Sequence, residues 1–122
     1  MFSKKVMLWI FTLISISAVK LYAFNILKVS GNSMEPTLRD GDYVVTLKIK
    51  LIPFRSRSGD IVVLKDPRTS KRQIIKRLVV VDRNYGVLVG DQPGQSTDSR
   101  IFGSIKLEML DSKVIKILRR LS

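Results

Sequence analysis

A mainly β, compact domain behind a single apolar N-terminal helix is the fold class the sequence predicts, and two observations carry it. Residues 6–19, VMLWIFTLISISAV, are uncharged and mostly apolar between Lys5 and Lys20. Beyond Lys28 the texture changes to short Val- and Ile-rich runs, DYVVTLKI, DIVVLKD, QIIKRLVVV, YGVLVGD and SKVIKIL. Gly-Asp, Asp-Pro and Arg-Asn turn signals separate them, the pattern of strands in an all-β domain. A chain of 122 residues has room for one such core, and the division falls at 1–27 and 28–122.

The apolar run comes first. As helix, residues 6–19 cover about 21 Å at ~1.5 Å per residue, short of a hydrocarbon core of about 30 Å. Counting from Lys5 to about Phe24 supplies the missing length, with the lysines snorkelling towards headgroups. Three readings stay open on length and flanks: a membrane anchor, a cleaved signal peptide and a buried core helix. Lys4 and Lys5 favour a cytoplasmic N-terminus, which Lys20 and Lys28 on the far side oppose.

Among the β-type runs, LIPF at 51–54 lies within a basic rim of Lys48, Lys50, Arg55 and Arg57. It suits either a loop resting among lipid headgroups or one packing its apolar residues inward. The tail from Ser112 reads either as a last strand or as a basic amphipathic helix, and the strand is the preferred reading.

Composition narrows the chemistry. The formal charge is +12, from 22 Lys plus Arg against 10 Asp plus Glu, and favours anionic partners such as an acidic membrane surface or nucleic acid. Few aromatics and no recognisable reading helix argue against nucleic acid. Histidine and cysteine are both absent. A Ser-His-Asp triad, a Cys-His pair and a zinc site built on His or Cys are therefore excluded. A hydrolase made from this chain must use Lys or a carboxylate as its base.

Ser33, in VSGNSMEPTLRDGD, is a turn-forming serine or a nucleophile; its loop chemistry alone fits a local backbone hydrogen bond. In the strand RQIIKRLVVV, alternation puts Ile74, Lys76, Leu78 and Val80 on one face. An ammonium among aliphatic side chains loses hydration. A lysine that serves as a base near neutral pH needs its charged form destabilised by roughly 3–4 kcal/mol. The alternative is a stem that covers apolar surface while the head reaches water. GDQPGQSTDSRIFG, residues 90–103, adds Ser96 and Ser99 as turn formers and Asp98 with Arg100 as an ion pair on one side of an extended segment.

Together these pieces resemble type I signal peptidases, the membrane-bound Ser-Lys proteases that remove signal peptides. The resemblance rests on the N-terminal apolar segment, GNSMEPTL, GDIVVLKDP at 59–67, IIKRLVV around the lysine and GDQPGQSTDSRIFG, in that order. It implies Ser33 as nucleophile, Lys76 as general base, Ser96 as the hydroxyl orienting the lysine, and Asp98 and Arg100 as braces. Gly31, Asn32 and Met34 would form the oxyanion loop. Some members of the family carry an oxyanion-binding serine where this chain has Gly31, and the last motif usually begins Gly-Asp-Asn where this chain has Gln92. Oxyanion stabilisation then rests on backbone, chiefly the Ser33 N–H. Only about fifteen residues separate Arg77 from Gln92, so the long β insertion of larger members is missing and the chain resembles a minimal form.

The resemblance implies a signal or leader peptidase without metal or organic cofactor, acting on precursor proteins at a lipid bilayer. Its catalytic domain would face outward from the cell membrane, or from an organellar inner membrane; a partner subunit is left open. A specialised maturation peptidase of the same family is the near alternative. The self-cleaving repressor type of Ser-Lys protease would need a soluble DNA-binding domain where this chain has its apolar segment. A non-enzymatic basic adaptor for membrane or nucleic acid is the alternative from another class.

Overall fold

The computed structural model describes residues 3–51, 56–69, 71–92 and 103–119, with the side chains of 18–22 and 51 outside that description. It begins with helix α1, Lys4–Ala23, a segment with no Gly or Pro to interrupt it. Ser3 starts the helix: its hydroxyl accepts the Val6 N–H at 3.3 Å and its carbonyl the Met7 N–H at 3.0 Å, satisfying donors that a first turn leaves open. The described side chains from Lys4 to Ser17 are all exposed, Trp9 and Phe11 at 70% each. Among the described residues, no helix is long and apolar enough to cross a membrane.

The rest is a sheet. Strands β1 (Phe24–Lys28), β2 (Tyr43–Lys48), β3 (Ile61–Lys65), β4 (Gln73–Asp82), β5 (Tyr85–Val89), β6 (Ile105–Lys106) and β7 (Leu110–Leu118) form one seven-stranded sheet ordered β1-β2-β7-β3-β4-β5-β6. Every pairing is antiparallel. The strand at the end of the sequence thus lies between β2 and β3, and the tail from Ser112 is strand. β1 starts directly where α1 stops, so the helix meets the sheet without a linker.

Val62, Val63 and Leu64 of β3 are all fully buried, as a strand covered on both faces requires. One face belongs to a cluster of Val62, Leu64, Ile74, Leu78, Leu88, Ile105 and Leu110. A second cluster, Val29, Met34, Leu38 and Val44, is completed by the half-buried Leu27, Ile61, Ile75, Val114 and Ile117. Loop residues Met34 and Leu38 are thereby pinned as firmly as strand residues.

Strict alternation along β4 fails at one point. Leu78 pairs with Leu88 but Val80 pairs with Val87, a register shift that makes Val79 an extra residue. A bulge of this kind turns the strand over locally. Ile74, Lys76 and Leu78 are buried on one side as alternation requires, whereas Val80 is 50% exposed and does not share their face. The four-residue face read from the sequence is therefore corrected to three. Residues 52–55, which hold most of LIPF and Arg55, lie outside the described residues, as does the 93–102 segment.

Candidate active site

Residues 33–37 form a turn between β1 and β2. Its hydrogen bonds explain why the sequence folds so: the Glu35 N–H donates to the Asn32 carbonyl at 3.1 Å and the Leu38 N–H to the Met34 carbonyl at 2.9 Å. Met34, 2% exposed, points into the second core cluster, and its neighbour Ser33 is left half-buried. Gly31 has a φ of +90°, a conformation that favours glycine. A Cβ there would meet no atom within 4 Å, so it is backbone strain, not crowding, that disfavours a serine at this position. The Gly31 N–H donates to Asp40 Oδ1 at 2.8 Å, which closes the loop at its base. Val29 adds a second closure, donating to the Asp42 carbonyl at 2.7 Å while its own carbonyl accepts the Gly41 N–H at 2.9 Å.

Lys76, 4% exposed, sits on β4 opposite Val62 of β3. Ser33 and Lys76, far apart in sequence, line one cavity of about 510 Å³ together with Gly31, Asn32 and Met34. Val63, Ile74 and Ile75 give it apolar wall; Leu78 and Val80 are not among its lining residues. Two strand edges border it. β1 is the terminal strand of the sheet, and β5 pairs with β4 only from Arg77 onward. The Gln73–Lys76 stretch therefore pairs with β3 alone among the described strands.

Asp98, Arg100 and Ser96, expected from the sequence to support the site, lie outside the described residues. Within the described residues a different pair does the bracing. Arg77 binds Asp91 through two parallel bonds, Nε to Oδ1 and Nη2 to Oδ2, both 2.8 Å, while its Nη1 donates to the Gly59 carbonyl at 2.8 Å. The Thr37 hydroxyl donates to the same carboxylate at 2.6 Å. Next in the chain, the Gln92 N–H donates to the Ser33 carbonyl at 2.9 Å. The lysine strand, the serine turn and the start of the 90–103 segment are thus tied at one carboxylate. The bond to Ser33 comes from the Gln92 backbone, so it does not depend on that side chain being Asn or Gln.

Sequence reasoning missed Arg77, Asp91 and Thr37. The available signal was the charge beside Lys76: an arginine on the opposite face of a half-buried strand needs an acceptor, and the Gly-Asp pair at 90–91 offers one. The Arg77 guanidinium, helped by the Thr37 hydroxyl, holds the Asp91 carboxyl below its ordinary value, against the opposing effect of burial. Because this folded-state value is depressed, the pair stabilises fully above the unfolded value of about 4 and loses that contribution as pH falls through the folded one. We expect Asp91→Asn to lower stability at pH 7 by about 1 kcal/mol, since it leaves the half-buried Arg77 guanidinium without its charge partner. The gap to the unsubstituted chain should narrow below about pH 4, as thermal unfolding in detergent at both pH values would report.

A seven-stranded antiparallel sheet carrying a Ser-Met turn and a buried strand lysine on one cavity defines a class, and the family comparison identifies it. The signal peptidase family, peptidase S26, matches residues 3–82, and the chain belongs to that family. Among curated relatives, mitochondrial inner membrane protease subunit 2 of Mus musculus is 33% identical over 75% of this chain and 65% of its own length. Mitochondrial inner membrane protease subunit 1 of Schizosaccharomyces pombe is 31% identical over 77% of this chain and 73% of its own. The human subunit 1 is 27% identical over 76% and 68%. The chain thus spans about two thirds of the mouse relative's length.

Proposed function

We propose that this chain is a membrane-anchored serine endopeptidase that removes signal or leader segments from precursor proteins. The observation that carries the proposal is the shared cavity of Ser33 and Lys76 beside β1 and the start of β4, each paired on one side alone among the described strands. Burial penalises the charged form of an amine, and a neutral Lys76 amine can accept a proton. In the reaction, Lys76 takes the Ser33 hydroxyl proton as Oγ attacks the scissile carbonyl. Its ammonium then returns a proton to the departing amine, and an ester on Ser33 remains. Lys76 next deprotonates the water that attacks the ester, and Ser33 regains its proton. The Ser33 N–H would stabilise the oxyanion within the Gly31–Met34 loop. Ser96 would orient the lysine, with Asp98 and Arg100 as outer braces, on the strength of the family motif alone.

An extended substrate fits between the edges of β1 and β4 by strand addition, which gives affinity through backbone bonds. Residues 1–27 would serve as anchor and 28–122 as the catalytic unit. The described side chains of α1 are left exposed by the rest of this chain, and lipid is the solvent that would cover so apolar a helix. The relatives' names favour an organellar inner membrane over the cell membrane, and a specialised maturation peptidase fits them equally well. Those relatives are named as subunits, and on that ground a partner subunit belongs to the proposal.

The full chain in detergent should cut a peptide bearing Ala-x-Ala after the second Ala, and Ser33→Ala should not. No product above that blank would reject the peptidase reading and favour the basic adaptor. For topology, protease outside sealed membranes should reach residues beyond 28; protection until the membrane is opened would reverse the orientation.

A further inference from the structure

Val62 of β3 pairs with Lys76 of β4 on one side and with Lys113 of β7 on the other, and directly paired residues share a face of a sheet. The two lysines thus stand two strand spacings apart, about 10 Å between Cα atoms at ~4.8 Å each, with the fully buried Val62 between them. Lys113 has a partner. Its Nζ lies 4.0 Å from Asp60 Oδ2, and both side chains are 25% exposed. Asp60 is fixed in place: its Oδ2 accepts the Arg57 N–H at 2.8 Å and its carbonyl accepts the Leu78 N–H at 2.8 Å. Leu78 stands two residues beyond Lys76 on the same face of β4, so Asp60 is a diagonal neighbour of the lysine, roughly 7–8 Å away across the strand pair. The same face of β3, β4 and β5 otherwise carries the apolar Leu64, Ile74 and Leu88. From the cavity side Lys76 is faced by the uncharged 30–34 turn and by Lys28, Arg72 and Asp66, the last bound by Arg68. Arg77, on the opposite face of β4, is bound to Asp91.

We propose that Lys113 and Asp60 are positioning residues for the base, setting the balance between the neutral and charged forms of Lys76 through their opposite charges. The inference rests on the peptidase reading of the cavity. A carboxylate standing alone at Asp60 would favour the ammonium form of Lys76, which cannot accept the Ser33 proton. The Lys113 ammonium offsets that field and, in the same row as Lys76, disfavours a second cation there. Burial removes water from the base, and the pair removes the attraction that would otherwise hold a proton on it. At separations of about 8–10 Å in half-buried surroundings, deleting either charge should move the titration of Lys76 by about half a pH unit. The two deletions act in opposite directions.

Direct titration of the amine tests this without turnover. Full-length Ser33→Ala chain in neutral detergent micelles would be labelled with trace acetic anhydride across a range of pH, and acetylation at Lys76 read by mass spectrometry. Only the neutral amine reacts, so the midpoint of its labelling reports the titration of Lys76. Lys113→Gln should raise that midpoint by about half a pH unit at low salt, and Asp60→Asn should lower it by a similar amount. The double variant should return close to the starting value, and Lys113→Arg, which keeps the charge, should restore it. With Ser33 intact, the acidic limb of kcat/KM, which reports the base of the free enzyme, should move in the same directions. Loosened packing would shift both single variants the same way, so midpoints that stay in place or move together would overturn the proposal. Should Asp60→Asn fail to fold, Lys113→Glu replaces it: the midpoint should rise further than in Lys113→Gln, and an equal or smaller rise would overturn the proposal. If the labelling midpoints move as expected while the unsubstituted chain cuts no Ala-x-Ala peptide, the charge coupling is supported and the peptidase reading is rejected.

Discussion

Lys76→Ala and Lys76→Arg are both expected to lower peptide cleavage by about a thousandfold or more, equivalent to roughly 4 kcal/mol of transition-state stabilisation. The two variants fail for different reasons. Alanine removes the proton acceptor and leaves a hole opposite Val62; arginine fills the site with a guanidinium that stays charged at any working pH. Ser33→Ala should be equally inactive, because the other hydroxyl of the turn, Thr37, is held by the Asp91 carboxylate. Serine and lysine acting as one unit also predict that the double variant is no worse than either single one. Steady-state cleavage of one peptide, with thermal unfolding to show that each variant is folded, checks all of this. Robust turnover by Lys76→Arg would remove the lysine from the reaction.

The second large effect concerns substrate shape. In an extended peptide, the residues one and three before the cut point the same way, and in the proposed binding mode they would face the wall made by Val63, Ile74 and Ile75. Replacing Ala by Phe at either place should reduce kcat/KM by roughly 10- to 200-fold, or about 1–3 kcal/mol. The residue between them points away and should tolerate exchange. Equal cleavage of the Ala and Phe peptides would contradict a shallow apolar wall while leaving the Ser-Lys chemistry untouched. Leu78 and Val80, read from the sequence as part of that floor, are not expected to alter specificity, because one is sealed in the first core cluster and the other lies beyond the bulge.

That correction indicates what the sequence could and could not say. Strand positions were legible because apolar runs and turn residues are local signals, and the Ser33 turn was legible because Gly31, Pro36 and Gly41 punctuate it. The bulge at Val79 was not: RLVVV holds three successive valines, and nothing in their composition marks which one is the extra residue. The insertion of β7 between β2 and β3 is a pairing of distant segments, which no local pattern encodes. At the site, Lys76 could be singled out as a cation among aliphatic residues. Its neighbour Arg77 is joined to Asp91, and through that carboxylate to Thr37, only by the fold. The ion pair expected between Asp98 and Arg100 came from charge and spacing along one segment. The pair seen between Arg77 and Asp91 joins two segments, and only folding brings those together.

The chemistry of the dyad is tested most directly by trapping its intermediate. The full chain in detergent would be incubated with a serine-reactive acylating probe, digested, and the modified residue located by mass spectrometry. A single acyl adduct on Ser33, formed in the unsubstituted chain and strongly slowed in Lys76→Ala, is the predicted result. Labelling elsewhere, or labelling of Ser33 at an unchanged rate without Lys76, would contradict a lysine-activated serine in this cavity.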